Sequence, residues 1–112
     1  MFVSIHLNKF PQESCKGLQA FYSENNPKSK ELADIIQNNI KIIQPDNTRK
    51  TKSGNDTIYL MEKITIPSVL IECGFISNTQ EATMLSNKDY KKTLVFALSC
   101  SILEFLETKD ED

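Results

Sequence analysis

The chain is predicted to fold as an α/β sandwich with a largely parallel sheet, and three features of its sequence predict this. Short runs with the two-residue period of strands alternate with stretches that have the period of a helix. One run, residues 68–73, is almost wholly apolar, as in an interior strand covered on both faces. The length of 112 residues, 39% of them hydrophobic and 25% charged, suits one domain with one core. A disordered or collagen-like chain is therefore excluded.

The first half of the chain is predicted to contain two strands and a helix. Phe2–Asn8 alternates so that its even-numbered residues share one face of a strand. Residues 9–16 are expected to form a loop, and residues 17–23 a second strand. An amphipathic helix is predicted from residue 29 until Pro45 ends it. Its apolar stripe is Leu32, Ile35, Ile36, Ile40 and Ile43, and its polar face is Lys30, Glu31, Asp34, Gln37, Asn38 and Lys41.

The second half is predicted to contain two more strands and two helices. Residues 46–56 are polar and basic and are expected to be an exposed loop, followed by a third strand at residues 57–61 and the apolar strand at residues 68–73. Asn78 has the position of a cap for a short helix through Leu85. Asn87 is expected to cap the last helix, and the apolar residues that recur there at helical spacing are Tyr90, Leu94, Leu98, Ile102 and Phe105.

Composition excludes several classes of function. The net charge of −2, from 13 basic and 15 acidic residues, gives no electrostatic case for a nucleic-acid binder. The three cysteines, Cys15, Cys73 and Cys100, are widely spaced and are expected to be buried or idle thiols, not a disulfide framework or a zinc ribbon. Neither a membrane span nor a signal peptide is expected within the sequence. The single histidine excludes any chemistry that needs two imidazoles from this chain alone.

Two polar residues lie where predicted strands end. His6 is near the end of the first strand and Glu72 is near the end of the most apolar one, where open α/β sheets collect catalytic groups. The pair suits a metal ligand with a general base, an acid/base pair, or a buried pair satisfied by hydrogen bonds. Gly74 fits a tight turn or a ligand contact, and the basic loop around Arg49 fits an anionic polymer or simple solvation. Cys73 must point away from Glu72 and is a poor nucleophile.

Three segments in order carry a family resemblance: Phe2–Asn8, residues 16–23 and residues 66–78, which contain the Glu-Cys-Gly-Phe sequence. They closely resemble the zinc-dependent N-acetylmuramoyl-L-alanine amidases of bacterial cell walls. Residues 10–12, 47–50 and 58–61 look most like the spore-cortex, germination branch of that family, the CwlD type. The resemblance covers essentially the whole chain.

The resemblance implies a fold and a set of site residues. Residues 1–107 would be the C-terminal portion of an amidase catalytic domain, a three-layer αβα sandwich without its N-terminal strands, and residues 108–112 an acidic tail. His6 would be a zinc ligand and Glu72 the catalytic carboxylate. Asn8, Arg49 and Gly74 would be substrate-binding residues. The family's other two zinc ligands, a histidine and a glutamate, have no match here, so zinc is not expected to bind stably to this chain alone.

The resemblance also implies a reaction. Family members cut peptidoglycan at the amide between the lactyl group of muramic acid and L-alanine of the stem peptide, outside the cytoplasm in the cell wall or spore cortex. The isolated chain is expected to be inactive, and its uncovered sheet edge to pair with another chain. Three alternatives stay open: half of a site completed by another chain, a non-catalytic module that binds peptidoglycan or regulates, and a structural domain with a buried His6 and Glu72 pair.

Overall fold

The computed structural model describes residues 1–8, 16–75 and 78–110. The predicted loop at residues 9–16, with Cys15, therefore lies almost wholly outside the described residues, as do the side chains of Asn8 and Phe75 and the end of the acidic tail. The described part contains a four-stranded sheet and four α-helices. This architecture confirms the predicted α/β class.

The sheet is mixed, with more parallel than antiparallel pairing. Its strands are β1 (Phe2–Asn8), β2 (Gln19–Tyr22), β3 (Lys52–Ser53) and β4 (Ser68–Phe75), in the order β1-β4-β2-β3. The β1–β4 and β2–β3 pairs are parallel, and the β2–β4 pair is antiparallel. Among the described residues, β1 is an edge strand whose one neighbour is β4.

The helices are α1 (Pro27–Asn39), α2 (Tyr59–Lys63), α3 (Thr79–Ser86) and α4 (Lys88–Asp110), and a short 3-10 turn, Ile40–Ile42, follows α1. α1 begins two residues before the predicted start because the Asn26 side chain caps it by accepting from the Lys28 amide. Asn78 and Asn87 cap the two later helices, as predicted. α4 continues into the predicted acidic tail. Along the described ranges, no helix is long and apolar enough to cross a membrane.

The core lies between one face of the sheet and the helices α1 and α4. Its buried apolar residues are Leu18, Ala20, Leu32, Ala33, Ile36, Ile40, Val69, Ile71, Cys73, Leu94, Leu98 and Phe105. On the opposite face of β4, Leu70 and Glu72 are only half-buried. β4 is an interior strand, as predicted, because β1 and β2 flank it, but among the described residues its second face is only partly covered, with Ser68 buried and Leu70 and Glu72 half-buried.

The predicted third strand at residues 57–61 is also wrong. A turn precedes α2 there, in which the Ile58 amide donates to the Gly54 carbonyl at 2.8 Å. Met61 is fully buried while Tyr59 is exposed, although two residues at this spacing would share one face of a strand; one turn of helix accounts for the difference. A Cβ on Gly54 would lie 2.9 Å from Met61 Cγ, and the glycine therefore makes room for Met61. The strand beside β2 is instead β3, inside the predicted loop.

Gln37 does not lie on the polar face of α1 where the sequence places it. It is buried, and its Oε1 accepts from the Ala20 amide at 2.9 Å while its Nε2 donates to the Leu18 carbonyl at 2.9 Å. These backbone groups at the start of β2 need partners because they are buried. The side chain of Gln37 supplies both and ties α1 to the sheet.

Candidate active site

His6 and Glu72 are brought together by the pairing of the two strands that carry them. In the parallel register of β1 and β4, His6 is the Cα partner of Glu72. Partners in register project from the same face of a sheet, so the imidazole and the carboxylate are neighbours. Both lie toward the carboxyl ends of their strands, on the face without core helices, where His6 is exposed and Glu72 half-buried.

The His6 ring is held against its own strand by Ser4. The distance between His6 Nε2 and Ser4 Oγ is 2.8 Å, and the tautomer of the ring decides which of the two donates. Ser4 shares the face of His6 because the two residues are two positions apart along β1. Ser4 thus orients the imidazole. The two-residue period of the strand predicts that the two side chains share a face, but it does not predict the hydrogen bond between them.

The end of β4 contains a bulge next to Glu72. The register runs from His6 opposite Glu72 to Asn8 opposite Phe75, so β4 has one extra residue there. A Cβ on Gly74 would lie 3.1 Å from both Glu81 Oε1 and Leu85 Cδ1 of α3. The structure therefore places Gly74 in close packing against α3, beside the site.

Arg49 reaches the same end of the sheet through Gln19. Gln19 is buried, and it is the antiparallel partner of Glu72. Arg49 Nη1 donates to Gln19 Oε1 at 2.9 Å, Arg49 Nε donates to the Lys16 carbonyl at 2.8 Å, and Gln19 Nε2 donates to the Lys50 carbonyl at 2.8 Å. Sequence reasoning missed Gln19; the available signal was its polarity within a predicted strand.

A groove of about 420 Å³ adjoins this cluster. One wall depends on Gly17, whose φ of +94° is in the region that favours glycine and whose amide donates to Glu81 Oε2 at 2.8 Å. A Cβ there would lie 3.3 Å from the Asn47 side chain. The groove is lined by Lys16, Gly17, Ile43, Gln44, Pro45, Asp46, Asn47, Thr48, Arg49, Gln80, Glu81 and Met84.

The described residues do not form a whole metal site. Among them, no group of three or more His, Cys, Asp or Glu side chains is placed to hold a metal ion. A catalytic zinc needs three protein ligands, so His6 and Glu72 fit only a part of such a site. Cys73 cannot extend it, because it packs in the core and burial raises the pKa of its thiol to about 11.

Comparison with known proteins finds one family along nearly the whole chain. The model of the Amidase_3 family, N-acetylmuramoyl-L-alanine amidase, matches residues 1–104. The germination-specific N-acetylmuramoyl-L-alanine amidase of Bacillus subtilis is 34% identical over 111 residues, which cover 99% of this chain and 46% of that protein.

Solved structures agree with this match. The CwlD amidase of Clostridioides difficile, in complex with the GerS lipoprotein, superposes with a TM-score of 0.88 at 42% identity, covering 96% of this chain and 54% of that chain. An N-acetylmuramoyl-L-alanine amidase of Clostridium difficile 630 superposes with a TM-score of 0.85 at 28% identity. The match covers 96% of this chain and 57% of that chain. The chain thus spans about half the length of these relatives. It belongs to the N-acetylmuramoyl-L-alanine amidase family.

Proposed function

We propose that this chain supplies part of the active site of a zinc-dependent amidase that cleaves the bond between the lactyl group of muramic acid and L-alanine in peptidoglycan. The pairing of His6 with Glu72 carries the proposal. The two residues come from different segments, and the register puts a possible metal ligand beside a possible proton carrier. Membership of the amidase family supports the choice of reaction.

Glu72 is the acid and base of the proposed reaction. Its carboxylate takes a proton from the water that attacks the amide carbonyl, and it returns the proton to the nitrogen as the carbon–nitrogen bond breaks. Its half-buried position leaves it open to substrate on the face without core helices. His6 is one ligand of the zinc, which when bound polarises the carbonyl and lowers the pKa of its water.

The remaining zinc ligands come, in this proposal, from a further polypeptide segment that docks on the open side of the molecule. There β1 is the edge of the sheet among the described residues, and an edge strand is a template for another strand. Ile5 and Leu7 on β1 are 60% and 56% exposed. The greater length of the relatives supports a segment of this kind.

We place the activity outside the cytoplasmic membrane. Peptidoglycan is the proposed substrate, and it lies there. The names of the relatives, which include a germination-specific amidase and a cell wall amidase, support this location.

The experiment mixes this chain with a separately produced polypeptide that covers the part of the Bacillus subtilis amidase outside the match. We expect neither polypeptide alone to release peptides that begin with L-alanine from peptidoglycan. The mixture with zinc is expected to release them, and a chelator is expected to stop the release.

Two outcomes contradict the proposal. Turnover by the 112-residue chain alone would show that no further segment is needed. Saturable binding of peptidoglycan without turnover in the mixture, insensitive to chelator and to Glu72→Gln, would instead identify a non-catalytic binding module.

A further inference from the structure

The helix α4 has two apolar faces, and only one of them lies in the core. We propose that the second face pairs with the same face of a second copy of this chain, with the two helices antiparallel and Ser99 at the point where they cross. The inference stands apart from the proposed reaction, in which this face has no part.

The second face is a continuous stripe along the helix. The core face of α4 contains Leu94, Leu98, Ser101 and Phe105. The exposed residues of the second face are Val95, Phe96, Ser99, Leu103 and Leu106. With 3.6 residues per turn, these five positions fall within about 100° of the helix surface, and their middle lies about 140° from the middle of the core face. An outer face that only meets solvent is polar, so this stripe indicates a covered surface.

The N-terminal half of the stripe borders a groove of about 540 Å³. Phe96 is 71% exposed and Val95 is 60% exposed. The groove can therefore seat an apolar side chain of a second helix. Its lining is Lys88, Lys91, Lys92, Val95, Phe96 and Ser99.

The charges of α4 oppose the dipole of the helix. Lys88, Lys91 and Lys92 outnumber Asp89 near its N-terminus, where the dipole is positive, and Glu107 lies in its last turn, where the dipole is negative. Among the residues that the structure describes, neither Lys92 nor Glu107 belongs to an ion pair. An antiparallel copy brings the basic end of one helix to the acidic end of the other, so the surface is complementary to itself.

The spacing about Ser99 fits an antiparallel pair. Phe96 lies three residues before Ser99 and Leu103 four after it, while Lys92 lies seven before and Glu107 eight after. When two copies cross at Ser99, Phe96 of each lies beside Leu103 of the other, and Lys92 beside Glu107. The small side chain of Ser99 lets the two helices approach closely. A parallel pair would instead place Lys92 beside Lys92.

The first experiment is sedimentation velocity of the 112-residue chain over a range of concentrations. One helix pair is a small interface, so we expect a reversible dimer that forms at about 10–100 µM. Phe96→Gln should raise the dissociation constant by about tenfold or more, because it removes an apolar contact from both copies. Tyr59→Gln is the matched control, since Tyr59 is a 76% exposed aromatic residue of α2, and it should leave the dimer unchanged.

A charge exchange tests whether the partner is a second copy. Lys92→Glu and Glu107→Lys each place like charges together and should each weaken the dimer severalfold at low salt. The double variant has opposite charges again at both contacts and should recover most of the affinity. Two independent losses that add in the double variant would overturn the pairing of Lys92 with Glu107.

Oxidative crosslinking tests the antiparallel register. In a background of Cys15→Ser and Cys100→Ser, Ser99→Cys should form an intermolecular disulfide, because the crossing point brings the two residues together. Val95→Cys is the matched control on the same face. Residue 95 of one copy lies about 12 Å along the helices from residue 95 of the other, which is beyond the reach of a disulfide. Equal crosslinking of the two variants would contradict the antiparallel pair.

Three results overturn the inference as a whole. The first is a chain that stays a monomer up to about 1 mM. The second is a dimer that survives Phe96→Gln and is lost in Ile5→Lys, which would place the contact at β1. The third is a monomer in which Phe96→Gln raises the amount of the second polypeptide needed for activity, which would show that this polypeptide covers the face. Turnover in the mixture judges the amidase reaction separately.

Discussion

At the residue scale, the described site depends on glutamine side chains that complete the hydrogen bonding of backbone groups. Gln44 Oε1 accepts from the Leu18 amide at 3.1 Å, and Gln44 Nε2 donates to the Tyr90 hydroxyl at 2.7 Å. Gln19 and Gln37 act in the same way between other elements. The rule that polar groups collect at strand ends predicts a pair such as His6 and Glu72. No comparable rule identifies Gln37 or Gln44, because a buried glutamine on a helix or in a loop has the same sequence signal as a solvated one.

Gly74→Ala tests the packing behind Glu72. The added Cβ would lie 3.1 Å from Leu85 Cδ1 and Glu81 Oε1, so we expect the free energy of unfolding to fall by about 1–3 kcal/mol. Denaturant unfolding monitored by circular dichroism measures the change. In a Leu85→Ala background the same substitution should cost less, because one of the two contacts is gone. A cost below about 0.5 kcal/mol in the original chain, which is usual for surface changes, would contradict this account of Gly74.

Cys73 provides a prediction on pH and reactivity. Burial raises the pKa of its thiol from 9.0 to about 11, so the folded chain binds this proton more tightly than the unfolded chain. The contribution of Cys73 to the free energy of unfolding should therefore be full below pH 9 and decrease as the pH rises from 9 toward 11.

Alkylation tests the burial of Cys73, which is the cause of its raised pKa. In a Cys15→Ser background at pH 8, iodoacetamide should modify exposed Cys100 readily and Cys73 only after unfolding, as peptide mass spectrometry would show. Modification of both thiols of the folded chain at similar rates would contradict the buried position of Cys73.

At the element scale, Gln37 joins α1 to β2. Gln37→Leu would leave the Ala20 amide and the Leu18 carbonyl buried without their partners. Each such group costs about 1–3 kcal/mol, so we expect the free energy of unfolding to fall by about 2–6 kcal/mol. Asn38→Leu is the matched control, since Asn38 is the next residue of α1 and is exposed. Equal effects of the two substitutions in chemical denaturation would exclude the bridging role of Gln37.

The elements that the sequence predicts well are those with long, regular patterns. The apolar stripe of α1, the asparagine caps of α3 and α4, and the alternation along β1 all give local signals that the fold preserves. The segment at residues 57–61 is a run of β-branched, aromatic and apolar residues, which is typical of a strand but short enough for one helical turn to accommodate it. There the tertiary fit of Met61 against Gly54 decides the structure, and such a contact leaves no pattern in the sequence.

At the scale of the whole molecule, the position of β1 at the edge of the sheet, within the part of the chain that the structure describes, is the main departure from a closed α/β sandwich. The α/β class could be predicted from alternating strands and helices. The strand order could not, because the antiparallel entry of β2 between β4 and β3 depends on connections that periodicity does not encode. The exposure of Ile5 and Leu7 could likewise be seen only once β1 was placed at the sheet edge.

If a further polypeptide segment docks beside β1, a charged side chain on that strand should weaken its binding. Ile5→Lys should raise by about tenfold or more the concentration of the second polypeptide that restores half of the activity, because a lysine disfavours strand pairing and apolar contact. Ile42→Lys is the control, since Ile42 is an 83% exposed isoleucine that follows α1. If Ile42→Lys has the same effect as Ile5→Lys, the docking surface lies elsewhere.

The central claim is that His6 and Glu72 have distinct parts in one amidase site. Its most direct test measures zinc content and peptide release together in the mixture with the second polypeptide. Glu72→Gln should keep the zinc and lower the rate by about a hundredfold or more, the usual contribution of an acid/base group. His6→Ala should lose both zinc and turnover, while Glu62→Gln, at an exposed carboxylate of α2, should change neither. Turnover at an unchanged rate in Glu72→Gln would contradict the claim.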